Sequence, residues 1–387
     1  MQVEEKFMLR CLELAQSGRP AVAPNPMVGA VIVHKGQIIG EGFHRQYGCA
    51  HAEVEAIEAV RDQKRLLDST LYVNLEPCAH TGKTPPCTQL IIQKRIPRMV
   101  TGCQDPNPVV AGKGIRVLRE TGIEVVTDVL RQEAMALNRF FITAHTKQRP
   151  YVILKWAQSI DGFIDRNRKD ASERPVQLSN PAFRRYVHKL RSEVSAIMVG
   201  TNTACLDNPS LTVRHWVGKS PVRVVIDRML RIPPTYHLLD GSVRTLVFFS
   251  GARGEVRGAG KIPPLKGTGR RSNAQLSILN SQFSNIEYVP LDFLRPTLPQ
   301  ILYALYERKH HSLLVEGGAC LHQCFLDSGL WDEAQIEIAP VELASGVKSA
   351  IDHLIKVAEY QNDIYISTAL LHQDSRSYIS IYTHKKL

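Results

Sequence analysis

The chain has 387 residues, 44% hydrophobic and 22% charged, with a formal net charge of +11. That length exceeds one hydrophobic core and predicts two domains; the composition excludes a disordered chain, and no apolar run is long enough to span a bilayer. Residues 1–146 carry 17 basic and 15 acidic side chains and residues 147–387 carry 31 and 22, so the first part lacks the basic track that a polynucleotide substrate requires.

Residues 1–16 show an acidic amphipathic helix pattern, with the first helix over 8–15, and no apolar core of a signal peptide. Export is therefore not expected. Eight cysteines in a long chain without secretory signals point to reduced thiols and a cytoplasmic location. A loop over 18–25 leads to a buried strand at 28–33. A turn at His34-Lys35-Gly36-Gln37 then returns the chain through 38–42. A helix over 51–62 opens on Cys49-Ala50-His51-Ala52-Glu53, and a strand at 71–75 runs into Glu76-Pro77-Cys78. Thr84-Pro85-Pro86-Cys87 precedes a helix over 88–94, because two prolines forbid a continuous helix from Cys78 and suit a new start near Cys87. A strand at 99–103, a helix at 114–121, a strand at 123–127 and a helix at 133–144 complete a layered α/β pattern.

His51, Cys78 and Cys87 are the residue types zinc favours, and three protein ligands leave the fourth tetrahedral position open for catalysis. Glu53 is the spare carboxylate that moves protons. Zinc lowers the pKa of bound water to about 7, which makes hydroxide available to attack a ring carbon bearing an amino group. The chain has His-Ala-Glu and Pro-Cys, with its second Cys nine positions on rather than three. Alone, an H-x-E is common by chance and isolated cysteines are usually buried hydrophobes. Cys49 is also near enough to close a four-ligand structural site.

The run P-C-A-H-T-G-K-T-P-P-C resembles the deaminase half of the bifunctional riboflavin biosynthesis deaminase–reductase family, which has this wide cysteine spacing. Pro24-Asn25-Pro26, Gly42 to His44 and Asp105-Pro106-Asn107-Pro108 match in order, and the resemblance covers almost the whole chain. It implies a cytidine-deaminase-like three-layer domain followed by a dihydrofolate-reductase-like α/β domain. It also implies that Asn25, His44, His80, Lys83, Asp105 and Asn107 line a pyrimidine and sugar-phosphate pocket. Asn25 suits a base edge, and His44 and Lys83 an anionic phosphate.

A polar stretch over 145–150 places the domain boundary at about 146. Strands at 151–155, 195–200, 222–227, 245–250 and 312–316 follow, with helices over 181–190 and 298–309. This pattern alone says only α/β. By resemblance, L-K-W-A-Q-S-I-D-G, G-T-N-T-A-C-L-D-N-P-S-L-T-V-R and L-V-E-G-G mark a reductase using NADPH. The same match implies that Lys155, Ser159, Ser179, Arg191, Thr203, Asp207, Leu211, Arg214, Glu316, Gly317 and Gly318 line its substrate and cofactor site. Arg191 and Arg214 suit a substrate phosphate, and Gly317-Gly318 suits a cofactor phosphate or simply a helix-entry turn. Gln177, Phe163 and Ala204 depart from the family pattern and bear on pocket shape.

The segment 251–273 holds six glycines and a net charge of +5, and reads as a mobile surface insertion. The implied activity is hydrolysis of the 2-amino group of a diamino-ribosylamino-pyrimidinone phosphate, then reduction of the ribosyl chain to ribityl. The expected partners are a small pyrimidine ribosyl phosphate and a second copy of the chain, as a dimer or tetramer, with no nucleic acid and no membrane. The competing class is a nucleic-acid-editing zinc deaminase with a basic binding module, which the near-neutral first part opposes.

Overall fold

The computed structural model describes residues 3–80, 85–107, 110–250, 285–350, 364–370 and 378–384. Lys83 and the segment 251–273 lie outside the described residues, as does the strand-like stretch near Leu276. The chain divides into two compact units between Arg149 and Pro150.

In the first unit β1 (Gly29–His34), β2 (Gln37–Phe43), β3 (Ser69–Leu75), β4 (Arg98–Cys103) and β5 (Glu124–Val126) form one sheet in the order β2-β1-β3-β4-β5. β1 runs antiparallel to both its neighbours, whereas β3, β4 and β5 are parallel. Successive β1 side chains point to opposite faces, and both faces are covered. Ala30 and Ile32 pack with Ala52 and Ile57 of α2 (Ala52–Glu58), Ile91 of α3 (Cys87–Gln93) and Leu118 of α4 (Lys113–Glu120). Val31 and Val33 pack with Phe7, Met8 and Cys11 of α1 (Val3–Gln16). A strand buried on both sides needs an unbroken apolar run, which is why 29–33 reads without alternation.

Two elements differ from expectation for local polar reasons. The helix from residue 51 ends at Glu58, because Gln63 Nε2 donates to the carbonyls of Ile57 (2.9 Å) and Val60 (2.8 Å) and a short 3-10 helix, Gln63–Asp68, takes over. The helix expected over 133–144 is two helices, α5 (Arg131–Leu137) and α6 (Arg139–Lys147), which meet at Asn138. The buried Asn138 amide accepts from the Met27 N–H (2.8 Å) and donates to the Met27 carbonyl (2.9 Å). Asn74 holds the same segment, accepting from Gly29 N–H (2.8 Å) and donating to Met27 O (3.1 Å). His145, expected in a linker, lies in the last turn of α6.

The second unit is built on a nine-stranded sheet of β6 (Tyr151–Ser159), β8 (Ala196–Gly200), β9 (Val222–Ile226), β10 (Thr245–Ser250), β11 (Ile286–Leu291), β12 (Ser312–Gly317), β13 (Glu333–Ala339), β15 (Ile364–Leu370) and β16 (Tyr378–His384). Its order is β11-β10-β9-β8-β12-β6-β13-β16-β15; the strands from β11 to β13 are parallel, and β16 and β15 add antiparallel at one end. β7 (Phe163–Asp165) and β14 (Val347–Lys348) pair separately. Among the described residues the α-helices are α7 (Pro181–Glu193), α8 (Thr201–Asp207), α9 (Thr297–Glu307) and α10 (Ala319–Ser328). One sheet face carries the main core, with Val152, Leu154 and Trp156 of β6 beside Ala334, Ile336 and Ile338 of β13.

The alternate side chains of β13 are polar and also buried: Glu333, Gln335 and Glu337. They are satisfied across the face in part by Tyr151 Oη donating to Glu333 (3.0 Å) and Tyr186 Oη donating to Gln335 (2.8 Å). A strand with strict polar–apolar alternation normally has a solvated face. Here both faces are covered, and hydrogen bonding offsets the desolvation of the polar one. No helix among the described residues is long and apolar enough to cross a membrane.

Candidate metal centre and reductase cavity

Three segment starts converge in the first unit. His51 caps α2, Cys87 opens α3 behind Pro86, and Cys78 follows the β3 strand end at Glu76-Pro77. His51 Nδ1 lies 3.2 Å from Cys87 Sγ and 3.6 Å from Cys78 Sγ, and the three ligand atoms all fall within 4.8 Å of one another. With zinc–sulfur and zinc–nitrogen bonds of about 2.3 and 2.0 Å, a tetrahedral site spaces N and S by about 3.5 Å. The donor set thus fits zinc in type and spacing. Among the described residues no fourth His, Cys, Asp or Glu joins the cluster, and Cys49 sits exposed on the cavity wall.

Charge is shared unevenly in the cluster. The Cys87 thiol, together with His51 and the Cys87 backbone N–H at 3.3 Å, holds the Cys78 thiol down to about 4 against the opposing effect of burial. Cys87 is pushed up by Cys78 and by burial, and His51 is raised by its hydrogen bond with Cys78. Glu53, in the first turn of α2, is 3% exposed, and its Oε2 has no hydrogen-bond partner among the described residues. Burial raises its pKa, with the His51 charge opposing.

A cavity of about 310 Å³ opens beside the cluster. It brings together Asn25, His44, His51, Glu53, Cys78, His80, Asp105 and Asn107, while the buried Cys87 stands behind its wall and Lys83 is outside the described residues. His44 differs from its expected role as a phosphate cation. Burial lowers its pKa, its Nδ1 donates to Ala50 O (2.9 Å), and its Nε2 accepts from Asn25 Nδ2 (3.1 Å). It is a neutral ring that orients the Asn25 amide.

Sequence reasoning missed Phe141 and His145 on the same wall, whose ring centroids lie 4.1 Å apart at a 39° tilt. Their i, i+4 spacing was the available signal. It also missed Glu76. This buried carboxylate accepts four backbone N–H groups of the segment that carries Asp105: Asp105 itself (3.1 Å) and Gly112 (2.9 Å) on Oε2, Gly114 (2.8 Å) and Ile115 (3.2 Å) on Oε1. Gly114 is required by this close approach, because a Cβ there would stand 2.1 Å from Pro77 O.

In the second unit Lys155, Ser179, Thr203, Asp207, Glu316, Gly317 and Gly318 line a cavity of about 690 Å³. Gly318 precedes α10, and a Cβ on it would meet Thr203 Oγ1 at 2.9 Å. The two glycines therefore keep open a cradle that fits an extended cofactor. Four expected residues stand off the cavity wall. Ser159 is fully buried, and its Oγ closes the following turn by accepting from Phe163 N–H (3.0 Å). Leu211 is 2% exposed, inside the core. Arg191 has three of its five N–H donors engaged: Nε and Nη2 meet the two Glu316 oxygens at 2.8 and 2.6 Å, and Nη1 meets Thr212 O at 3.0 Å. It orients Glu316. Arg214 is exposed, with Nη1 3.3 Å from Thr212 Oγ1. Arg168, which the sequence did not single out, pairs with Asp165 (2.7 Å) and Asp207 at the rim.

On the wall of this cavity His322 of α10 is 1% exposed; its Nε2 donates to Val315 O (3.1 Å), and burial lowers its pKa to about 4. The folded value lies below the free value of about 6.5, so the stability it contributes is complete above 6.5 and is lost as the pH falls toward 4. Between pH 7 and pH 5 this linkage removes about 2 kcal/mol. Urea melts of the second unit at the two pH values check it: His322→Gln should lose that part of the pH dependence, and an unchanged difference rejects the assignment.

Residues 1–103 match the family described as cytidine and deoxycytidylate deaminase zinc-binding region, and residues 150–354 match the RibD C-terminal domain. The chain is 40% identical over 341 residues to the riboflavin biosynthesis protein RibD of Bacillus amyloliquefaciens, covering 88% of this chain and 85% of that one. It is 33% identical to the Escherichia coli RibD, covering 89% and 90%. The crystal structure of a diaminohydroxyphosphoribosylaminopyrimidine deaminase/5-amino-6-(5-phosphoribosylamino)uracil reductase from Thermotoga maritima superposes with a TM-score of 0.80 at 35% identity, covering 99% of both chains. The chain therefore belongs to the RibD family of riboflavin biosynthesis proteins, bifunctional enzymes with a zinc-dependent deaminase unit and a dihydrofolate-reductase-like pyrimidine reductase unit.

Proposed function

We propose that His51, Cys78 and Cys87 hold the zinc ion, that Glu53 is the proton shuttle of the deaminase, and that the cavity around Lys155 and Glu316 is the reductase site. The observation that carries the deaminase reading is the converging donor set beside a buried carboxylate with an unpartnered oxygen. When bound, zinc supplies a water of lowered pKa at neutral pH. Glu53 takes a proton from the attacking water and returns it to the ring nitrogen, then to the departing amine. A C–O bond forms, the C–N bond breaks, and ammonia leaves with no net proton change. Asn25, oriented by His44, meets the base edge, and Asp105 and Asn107 meet the ring or sugar.

The substrate is 2,5-diamino-6-ribosylamino-4(3H)-pyrimidinone 5′-phosphate, and the product is reduced with NADPH to the ribityl phosphate. Gly317 and Gly318 at the start of α10, with Thr203 beside them, would hold the cofactor's phosphates through backbone N–H groups. We place the enzyme in the cytoplasm as a homo-oligomer, a dimer or tetramer. The test uses the purified full chain with the diamino substrate. Ammonia release is expected without NADPH, and NADPH oxidation only after deamination. Ammonia release that depends on RNA would instead favour a nucleic-acid-editing enzyme.

A further inference from the structure

We propose that His188 is a positioning residue of the reductase, holding the backbone at Arg214 so that its guanidinium meets the substrate 5′-phosphate. The inference rests on the reading of Arg214 as a substrate-phosphate residue and of the cavity bearing Glu316 as the reductase site. His188 lies on α7 and is 5% exposed, and its Nδ1 accepts from the Arg214 N–H at 3.0 Å. Arg191 follows three residues later, about one turn along the same helix face. It donates from Nη1 to Thr212 O (3.0 Å) and from Nε and Nη2 to Glu316, which lines the cavity. One helix therefore ties the backbone of residues 212–214 to the cavity wall at two successive points.

The rest of the loop follows α7 in the same way. The His215 ring meets the His188 ring edge-on at 4.8 Å, Lys189 Nζ stands 5.9 Å from the centre of the Trp216 ring, and a Cβ on Gly218 would lie 2.6 Å from Ser192 Cβ. Residues 212–218 belong to no helix or strand, and those from Arg214 onward are exposed. No ladder of backbone hydrogen bonds fixes this segment, so side chains of α7 have to. The Arg214 guanidinium donates from Nη1 to Thr212 Oγ1 (3.3 Å), and its other N–H groups have no hydrogen-bond partner among the described residues. Only a neutral imidazole can accept through Nδ1. Burial, with Arg191, His215 and Arg214, lowers the His188 pKa to about 4, and Glu316 opposes them. At neutral pH the ring is uncharged and its Nδ1 remains an acceptor.

Fixing the Arg214 N–H fixes where its Cα sits and how far its guanidinium reaches. A long side chain on an unanchored loop loses backbone and rotamer freedom on binding, and an anchor in place beforehand lowers that cost. Arginine grips phosphate through two parallel hydrogen bonds, so the orientation of its plane matters as well as its charge. His188 itself is not on the cavity wall. Losing its acceptor should weaken substrate binding and leave the hydride step alone, which shows as a raised KM at constant kcat.

The experiment measures kcat and KM for NADPH-dependent reduction of the deaminated pyrimidine phosphate at neutral pH, using the zinc-loaded full chain. Thermal unfolding and ammonia release report folding. His188→Leu removes the acceptor and should raise KM about five- to tenfold, with kcat within about twofold. His188→Asn should return KM close to its original value, because its Oδ1 stands as far along the side chain as Nδ1. If His188→Leu does not fold, His188→Phe keeps a ring without an acceptor, and the same rise is expected. Arg214→Ala should raise KM about tenfold or more, and adding His188→Leu to it should raise KM no further, since His188 acts through Arg214. The proposal is overturned by an unmoved KM in the folded variant without an acceptor, by a loss confined to kcat, by an Asn variant as impaired as Leu, or by effects of the two substitutions that multiply. The two readings separate at Arg214→Ala. If that variant keeps its KM, the phosphate reading of Arg214 falls and the proposal with it; if its KM rises while that of His188→Leu does not, the proposal alone falls.

Discussion

Glu53→Gln is expected to stop ammonia release while the protein still binds one zinc per chain. The side chain is two residues beyond His51, on the same helix start, and the substitution keeps its size. The three ligands are untouched, so metal content measured on the purified variant should match the unaltered protein. An amide cannot accept the water proton or pass it on, and losing a positioned general acid–base group costs about 10²–10⁴ in rate. Reductase activity on the deaminated substrate should persist, because that cavity belongs to the other unit. Retained deamination would move the proton shuttle to another cavity carboxylate, Asp105.

The second large effect is expected at Glu76, which touches none of the three zinc ligands' donor atoms. Each of its carboxylate oxygens accepts two backbone N–H groups, and together they pin the segment from Asp105 to Ile115. Glu76→Gln replaces one oxygen by an NH2, so whichever way the amide turns, two N–H donors meet another donor. A stranded buried donor costs about 1–3 kcal/mol. The segment carrying Asp105 and Asn107 should therefore loosen. We expect deaminase kcat/KM to fall about ten- to a hundredfold, mostly through KM, with zinc content unchanged. Kinetics at saturating and limiting substrate separate the two parameters. A normal KM would show that the Asp105 segment does not need this anchor to meet the substrate.

The convergence of His51, Cys78 and Cys87 was legible because its signals are local. A strand ending in Glu76-Pro77-Cys78, two prolines before Cys87 and a helix start at His51 each specify backbone direction over a few residues. The apolar strands of both units, such as those at 29–33 and 151–155, were legible for the same reason: burial on both faces of a sheet leaves unbroken apolar runs in the chain, whereas β13, whose alternate side chains are polar, was not read as a strand. Other features depend on partners far away in sequence. Asn138 splits a helix by holding the backbone of Met27, 111 residues distant. Glu76 reaches forward to Gly112 and Ile115, and Arg191 is claimed by Glu316, 125 residues on.

By itself, then, the sequence determined which residue types stand at each segment end and the zinc chemistry they support. It also determined, through the family motifs, that a reductase follows. Only the tertiary structure decided which polar groups are already engaged. Arg191 is paired with Glu316 and His44 holds the Asn25 amide, while Glu337 Oε1 has no hydrogen-bond partner among the described residues. The reason is physical: a side chain's chemical type is local, but whether its hydrogen bonds and charge are spent depends on desolvation and on neighbours that folding brings together.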